Sequence, residues 1–286
     1  MSFLYKKIAI PISTWLFSLF LLTLSAGYFY YGLLSDIPPL SEFAEYNQPR
    51  MNQFQSGNEV VKIVMMGDSR LRYATPLSED FSVILSKQLH VPVQVLRLTH
   101  DMAILKDFRG LFPDIYDAKP DLIVIQQEML TKKRTLESRI YYARRFIESE
   151  YFGSIKGETV FDQEKFQVSM GCGVMRKSET AEERRDFFLK WAYFSSIQER
   201  PQTVTDFLSE LGHLGIPLLV VSIPVSPKGR SIFPIPQDEP VFYTARPEYN
   251  FSDSQYCDVV HLNTKGRNVY TAWLAAELEK KLKVGG

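Results

Sequence analysis

Four short apolar runs set the frame of this chain: Val60 to Met66, closed by Gly67, then Val91 to Leu98, Asp121 to Ile125 and Ile216 to Ile223. Runs of this length, bounded by turn residues, read as strands buried on both faces, as parallel sheets require. Between the first two, Phe81, Ile84, Leu85 and Leu89 recur at helical spacing. Alternation of this kind predicts an α/β fold, a three-layer, doubly wound and mainly parallel sheet with right-handed crossovers. A last helix, Thr264 to Leu282, carries Val269, Trp273, Leu274 and Leu278 on one face and is expected to pack on that sheet.

Ahead of the sheet, Ile8 to Leu34 contains no charged residue, and about 20 apolar residues cross a bilayer as a helix. One transmembrane helix is therefore expected. Lys6 and Lys7 precede it and Asp36, Glu42 and Glu45 follow, so the positive-inside rule puts the N-terminus in the cytoplasm and the remainder outside, periplasmic or extracellular. Cleavage near Leu24-Ser25-Ala26 is the competing reading, but the apolar stretch continues past that point. Residues 1–34 are read as cytoplasmic N-terminus and anchor. Residues 35–58, which mix Pro, Asn, Gln, Ser and Gly without periodicity, are read as a linker. Residues 59–286 are read as one catalytic domain, with a helical insertion at about 130–194 where charge-rich helical segments flank a loop-like piece.

The 33 basic and 33 acidic residues among 286 cancel, which removes the long-range field that a nucleic-acid partner would need. Four histidines without HxH or HxxxH spacing give no metal site, and no cofactor motif is present. The two cysteines, Cys172 and Cys257, either pair, as an extracytoplasmic location permits, or remain free thiols.

Chemistry concentrates at two places. Val64-Met65-Met66-Gly67-Asp68-Ser69-Arg70 sets a serine just past the carboxyl end of the first strand, where open α/β sheets build their sites. Gly67 there permits a tight turn. Ser69 is expected at a helix N-terminus, its own N–H available to an oxyanion. Far along the chain, Cys257-Asp258-Val259-Val260-His261 offers an acid and an imidazole three residues apart, read as one side of a helical turn. Ser69 is the expected nucleophile, His261 the base and Asp258 its orienting acid, with Asp253 as the alternative acid. The nucleophile lacks a GxSxG frame, which excludes the α/β-hydrolase elbow.

The strand-GDS start and the DxxH before the last helix resemble the SGNH (GDSL-like) hydrolase superfamily over about residues 60 to 284. The resemblance implies a serine acyltransferase or acylesterase with an oxyanion hole completed by a glycine after the second strand and an asparagine in a GxND block after the third. This chain departs from both. After the second strand it reads Leu98-Thr99-His100-Asp101-Met102, and after the third Ile125-Gln126-Gln127-Glu128. Any backbone N–H replaces the first donor. A glutamine amide, Gln126 first and Gln127 next, stands in for the second. Gly67, Asp68, His100, Gln126 and Gln127 are accordingly expected around the oxyanion and substrate. With an anchored, exported domain, the resemblance points to proteins that acylate or deacylate a surface polysaccharide or related polymer, some beside a multi-span membrane-bound O-acyltransferase. The rival expectation is a non-catalytic subunit of an envelope polymer acylation complex that keeps the fold and has lost the chemistry. Transfer is favoured over hydrolysis because the chain is anchored and its blocks are altered.

Other residues carry blander expectations. His90 is read as a surface residue at the end of a helix, and His213 as a residue of a helix C-terminus, where the dipole suits it. Arg70 and Arg72 either meet an acidic polymer or are simply solvated.

Overall fold

The computed structural model describes residues 12–35, 41–56, 60–99, 101–156, 192–194, 201–227, 244–248 and 250–284. His100, Cys172 and much of the expected insertion lie outside the described residues.

Five strands form one parallel sheet: β1 (Val61–Gly67), β2 (Val93–Thr99), β3 (Leu122–Gln126), β6 (Leu218–Val221) and β7 (Thr244–Ala245), in the order β2-β1-β3-β6-β7. β4 (Lys132–Arg134) and β5 (Ala192–Phe194) make a separate antiparallel pair. In β1, residues 61 to 67 alternate faces as pleating demands. Val64 and Met66 join one core layer, with α2 (Ser41–Ser56), α5 (Phe112–Asp117) and α7 (Gln202–Leu214). Ile63 and Met65 join the other, with α3 (Ser69–Ala74), α4 (Ser78–Leu89) and α8 (Thr264–Val284). The result is a three-layer α/β unit. Because β2 and β3 lie on opposite sides of β1, the strand order reverses there, and ligands of open α/β sheets bind at the carboxyl ends beside such a reversal.

Two expectations need correction. The stretch read as a linker contains α2, which buries Phe43, Asn47, Met51 and Phe54. Their spacing of four, four and three is helical, but Pro49 and the run of amides hide it in the sequence. The α/β unit therefore begins before residue 59. Second, α1 (Ile12–Ser35) forms without a charged residue and exposes Trp15, Leu16, Phe17 and Leu22. Yet among the described residues no helix is long and apolar enough to cross a membrane. Within α1, Thr23 turns its Oγ1 back onto the Leu19 carbonyl at 2.7 Å.

Candidate active site

Ser69 opens α3 directly after β1, so its N–H belongs to the first turn, whose donors a helix cannot satisfy internally. Asp68 is the N-cap; its Oδ1 accepts from the Arg70 N–H at 2.9 Å. Gly67 is required for space and not for an unusual backbone angle. A Cβ there would lie 2.6 Å from the Leu71 Cβ and 2.7 Å from the Gln126 Oε1.

The serine and the distant DxxH segment meet. Ser69 Oγ is 2.9 Å from His261 Nε2, and His261 Nδ1 is 2.8 Å from Asp258 Oδ2. Asp258 uses its other oxygen to accept from the N–H groups of Val260 and His261, both at 2.8 Å. A carboxylate with those bonds stays acceptor-only, which fixes Nδ1 as the protonated nitrogen and leaves Nε2 to accept the serine proton. The local geometry differs from the expected helical turn. Residues 257–260 form a bend closed by a bridge between Tyr256 and Leu262 and by the Cys257 N–H donating to the His261 carbonyl at 2.8 Å. Asp258, not the exposed Asp253, faces the imidazole. Tyr73, one helical turn after Ser69, sets its ring edge-on to His261 with centroids 5.1 Å apart. Cys257 is disulfide-bonded, and Cys172, the only other cysteine in the sequence, lies outside the described residues.

Gln126 ends β3 next to this serine and is wholly buried. Its Oε1 accepts from the Asp68 N–H at 2.9 Å, which settles the amide orientation, and its Nε2 is buried without a partner. A buried unsatisfied donor costs about 1 to 3 kcal/mol. Beside a nucleophile, such a donor suits an oxygen that acquires charge only during reaction. Gln127 is buried at the start of a 3-10 turn, Gln127–Leu130. After β2, the left-handed backbone falls on Met102, at φ 55°, two residues past His100.

Behind the serine sits a set of buried charges in which Asp68 and Arg70 meet Glu128 and Lys132, two residues to which the sequence pattern assigns no role. Arg70 Nη1 bonds Glu128 Oε1 at 2.7 Å, Arg70 Nη2 bonds Asp68 Oδ2 at 3.1 Å, and Lys132 Nζ bonds the same oxygen at 3.0 Å. All four residues are buried. Burial alone would raise the Asp68 carboxyl, but the Arg70 and Lys132 charges hold it well below the usual carboxylate range. Burial draws the Lys132 ammonium below its own ordinary value despite that neighbour. Arg70 is thus committed inward, not solvated. Arg72 is buried too and pairs with Asp101. Arg97 of β2 donates to the carbonyls of Thr75 at 2.9 Å and Arg72 at 3.3 Å, placing a cation at the C-terminal end of α3. The one sequence signal for the network was a carboxylate, Glu128, just past a strand end facing an arginine after the neighbouring strand.

Among the described residues no cluster of histidine, cysteine and carboxylate fit for a metal occurs. His90 takes a left-handed conformation as the C-cap of α4, and His213 is exposed in the last turn of α7.

No protein-family model matches this chain, and no curated protein matches it. Among solved structures, it is similar to the lipase Lip_vut3 from a goat rumen metagenome, at 10% identity, with 76% of this chain and 97% of that one covered and a TM-score of 0.36. It is also similar to a lipase/acylhydrolase from Enterococcus faecalis, at 14% identity, with 77% and 96% covered and a TM-score of 0.32. Likeness this distant carries no argument about chemistry, which rests on the side chains described above.

Proposed function

We propose that this protein is a serine acyltransferase or acylesterase acting on a surface glycan or related polymer through an acyl-enzyme on Ser69. The observation that carries the reading is the unbroken relay from Ser69 Oγ to His261 to Asp258 beside the unpartnered Gln126 amide. Ser69 Oγ attacks an acyl carbonyl while His261 Nε2 takes its proton. The carbonyl oxygen becomes an oxyanion held by the Ser69 N–H and Gln126 Nε2. Collapse of this intermediate expels the donor's alcohol, which receives the proton from His261. A sugar hydroxyl or water then passes its proton to His261 as it attacks the acyl-serine, and collapse of this second intermediate releases Ser69 Oγ, which takes the proton back from His261. A sugar hydroxyl gives transfer and water gives hydrolysis; anchoring beside a polymer favours transfer.

In this reading the whole uncharged stretch 8–34, which begins before α1, holds the chain at a membrane. Lys6 and Lys7 stay on the cytoplasmic side and the α/β unit lies outside. The disulfide at Cys257 supports an oxidising compartment. A multi-span membrane-bound O-acyltransferase is the proposed donor-side partner. A non-catalytic role gives no reason to keep a complete relay next to a buried donor with no partner.

The test is labelling with a serine-directed fluorophosphonate. Wild-type protein is expected to label at Ser69 and Ser69→Ala to remain blank. Equal labelling of both, or none of either while both are folded, overturns the acyl-enzyme.

A further inference from the structure

The residue before the relay's acid is cross-linked. Cys257 is disulfide-bonded and buried, and it adjoins Asp258. Its backbone belongs to the same bend, because the Cys257 N–H donates to the His261 carbonyl at 2.8 Å and so spans the whole segment from acid to base. The sequence contains one other cysteine, Cys172, which falls in the chain between α6 (Leu136–Lys156) and β5. A bond between the two ties the bend to a part of the chain remote in sequence.

Bonds within the bend fix its shape but not its place. Asp258 holds the amides of Val260 and His261 and the imidazole, all close by in sequence. The Tyr256–Leu262 bridge and the Asn263 N–H bond to the Gln255 carbonyl are equally local. Place relative to Ser69 depends on fastenings to other segments. The Ser226 N–H donates to the Val259 carbonyl at 3.0 Å, and the Tyr73 ring meets the imidazole edge-on; both contacts are non-covalent and can lengthen. The disulfide at Cys257 cannot lengthen without breaking. The demand on position is narrow, since Ser69 on α3 and His261 in the bend meet at 2.9 Å, and a misplacement of about 1 Å can cost about 10²-fold in rate.

We propose that the disulfide at Cys257 is a positioning element of the Ser69 reaction: it sets the Asp258–His261 bend against the serine, so that turnover requires the oxidised chain. The inference rests on the acyl-enzyme reading. Reduction by a dithiol moves two electrons: the reagent's two sulfurs join to each other, and the Cys257 sulfur and its partner leave as thiols. The bend then keeps its internal hydrogen bonds and loses its covalent tie. A disulfide that only restricts the unfolded chain behaves differently, because its loss lowers stability and leaves kcat unchanged.

The test uses the full-length protein in detergent, purified without reductant. Peptide mass mapping is expected to show positions 172 and 257 linked; free thiols at both in active protein overturn the proposal. Dithiothreitol, and separately the double variant Cys172→Ser/Cys257→Ser, are each expected to lower kcat for p-nitrophenyl acetate and the rate of fluorophosphonate labelling by about 10- to 100-fold. KM and the near-ultraviolet circular dichroism are expected to change little, and reoxidation of the reduced wild type to restore both rates. Should the double variant fail to fold, the cycle of reduction and reoxidation decides alone. Unchanged kcat with a lowered urea midpoint overturns the proposal, and so does a loss of dichroism in step with turnover, since the fold and not the bend then depends on the cross-link. Oxidised wild type that never labels refutes the acyl-enzyme, whereas oxidised and reduced protein that label at equal rates refute the tie alone.

Discussion

The two halves of the candidate site are held in different ways. The Ser69 half is fixed from behind by bonds that reach far along the chain: Arg70 to Glu128, Lys132 to Asp68, and Gln126 to the Asp68 N–H, all among buried groups. The His261 half is fixed by itself. Asp258 bonds two amides and an imidazole no more than three residues away, and the Tyr256–Leu262 bridge closes the bend. The contrast implies that damage to the first half is felt as lost stability, and damage to the second as lost activity with the fold intact.

The sharpest way to break that contrast is His261→Ala. Ester turnover is expected to fall by about 10⁴-fold or more, as when a triad member is removed, with an unchanged urea midpoint. A large drop in the midpoint would mean that the bend also carries the fold. Next comes Asp68→Asn, which strips the carboxylate from a buried pair and is expected to cost about 3 to 5 kcal/mol in denaturant unfolding. Its pH dependence sharpens the point. Because the folded state depresses this carboxyl, its contribution is fully present above the ordinary carboxylate value of about 4 and is lost as pH falls toward the folded value. The stability gap between wild type and variant should therefore narrow in acid and stay constant from pH 5 upward. A gap that widens in acid would contradict the assignment.

Gln126→Glu keeps an oxygen for the Asp68 N–H and removes the free donor, so kcat is expected to fall about 10²- to 10³-fold, as for a lost oxyanion contact. Steady-state kinetics that show a change in KM alone would remove Gln126 from that role. The smallest effect is expected from Tyr73→Leu. It deletes an edge-to-face contact of about 0.5 to 1.5 kcal/mol, and a shift of up to about tenfold in kcat is the expected reading.

How much of this was legible in the sequence follows from what each feature requires. Four of the parallel strands announce themselves because burial on both faces forces an apolar run, and the nucleophile is legible because it follows the first run directly. Thr244–Ala245 is too short to carry any pattern. α2 escaped because an asparagine, Asn47, interrupts the buried face of Phe43, Met51 and Phe54, and Pro49 and several amides lie between them. The order Ser69, Asp258, His261 could be read, but the bend that joins the last two could not, since it is set by Asp258 bonding its own following amides. Glu128 and Lys132 were the least legible. Charged residues read as solvated in one dimension, and only the meeting of β1, β3 and β4 turns them into a buried set.

Every step of the proposed chemistry passes through an acylated Ser69. Rapid-quench mass spectrometry of the intact protein with p-nitrophenyl acetate tests it most directly, followed by digestion to place the adduct. A transient acetyl group is expected on the peptide containing Ser69, longer-lived in His261→Ala and absent in Ser69→Ala. An acetyl group that persists unchanged in Ser69→Ala, or turnover without any adduct at that serine, would contradict it.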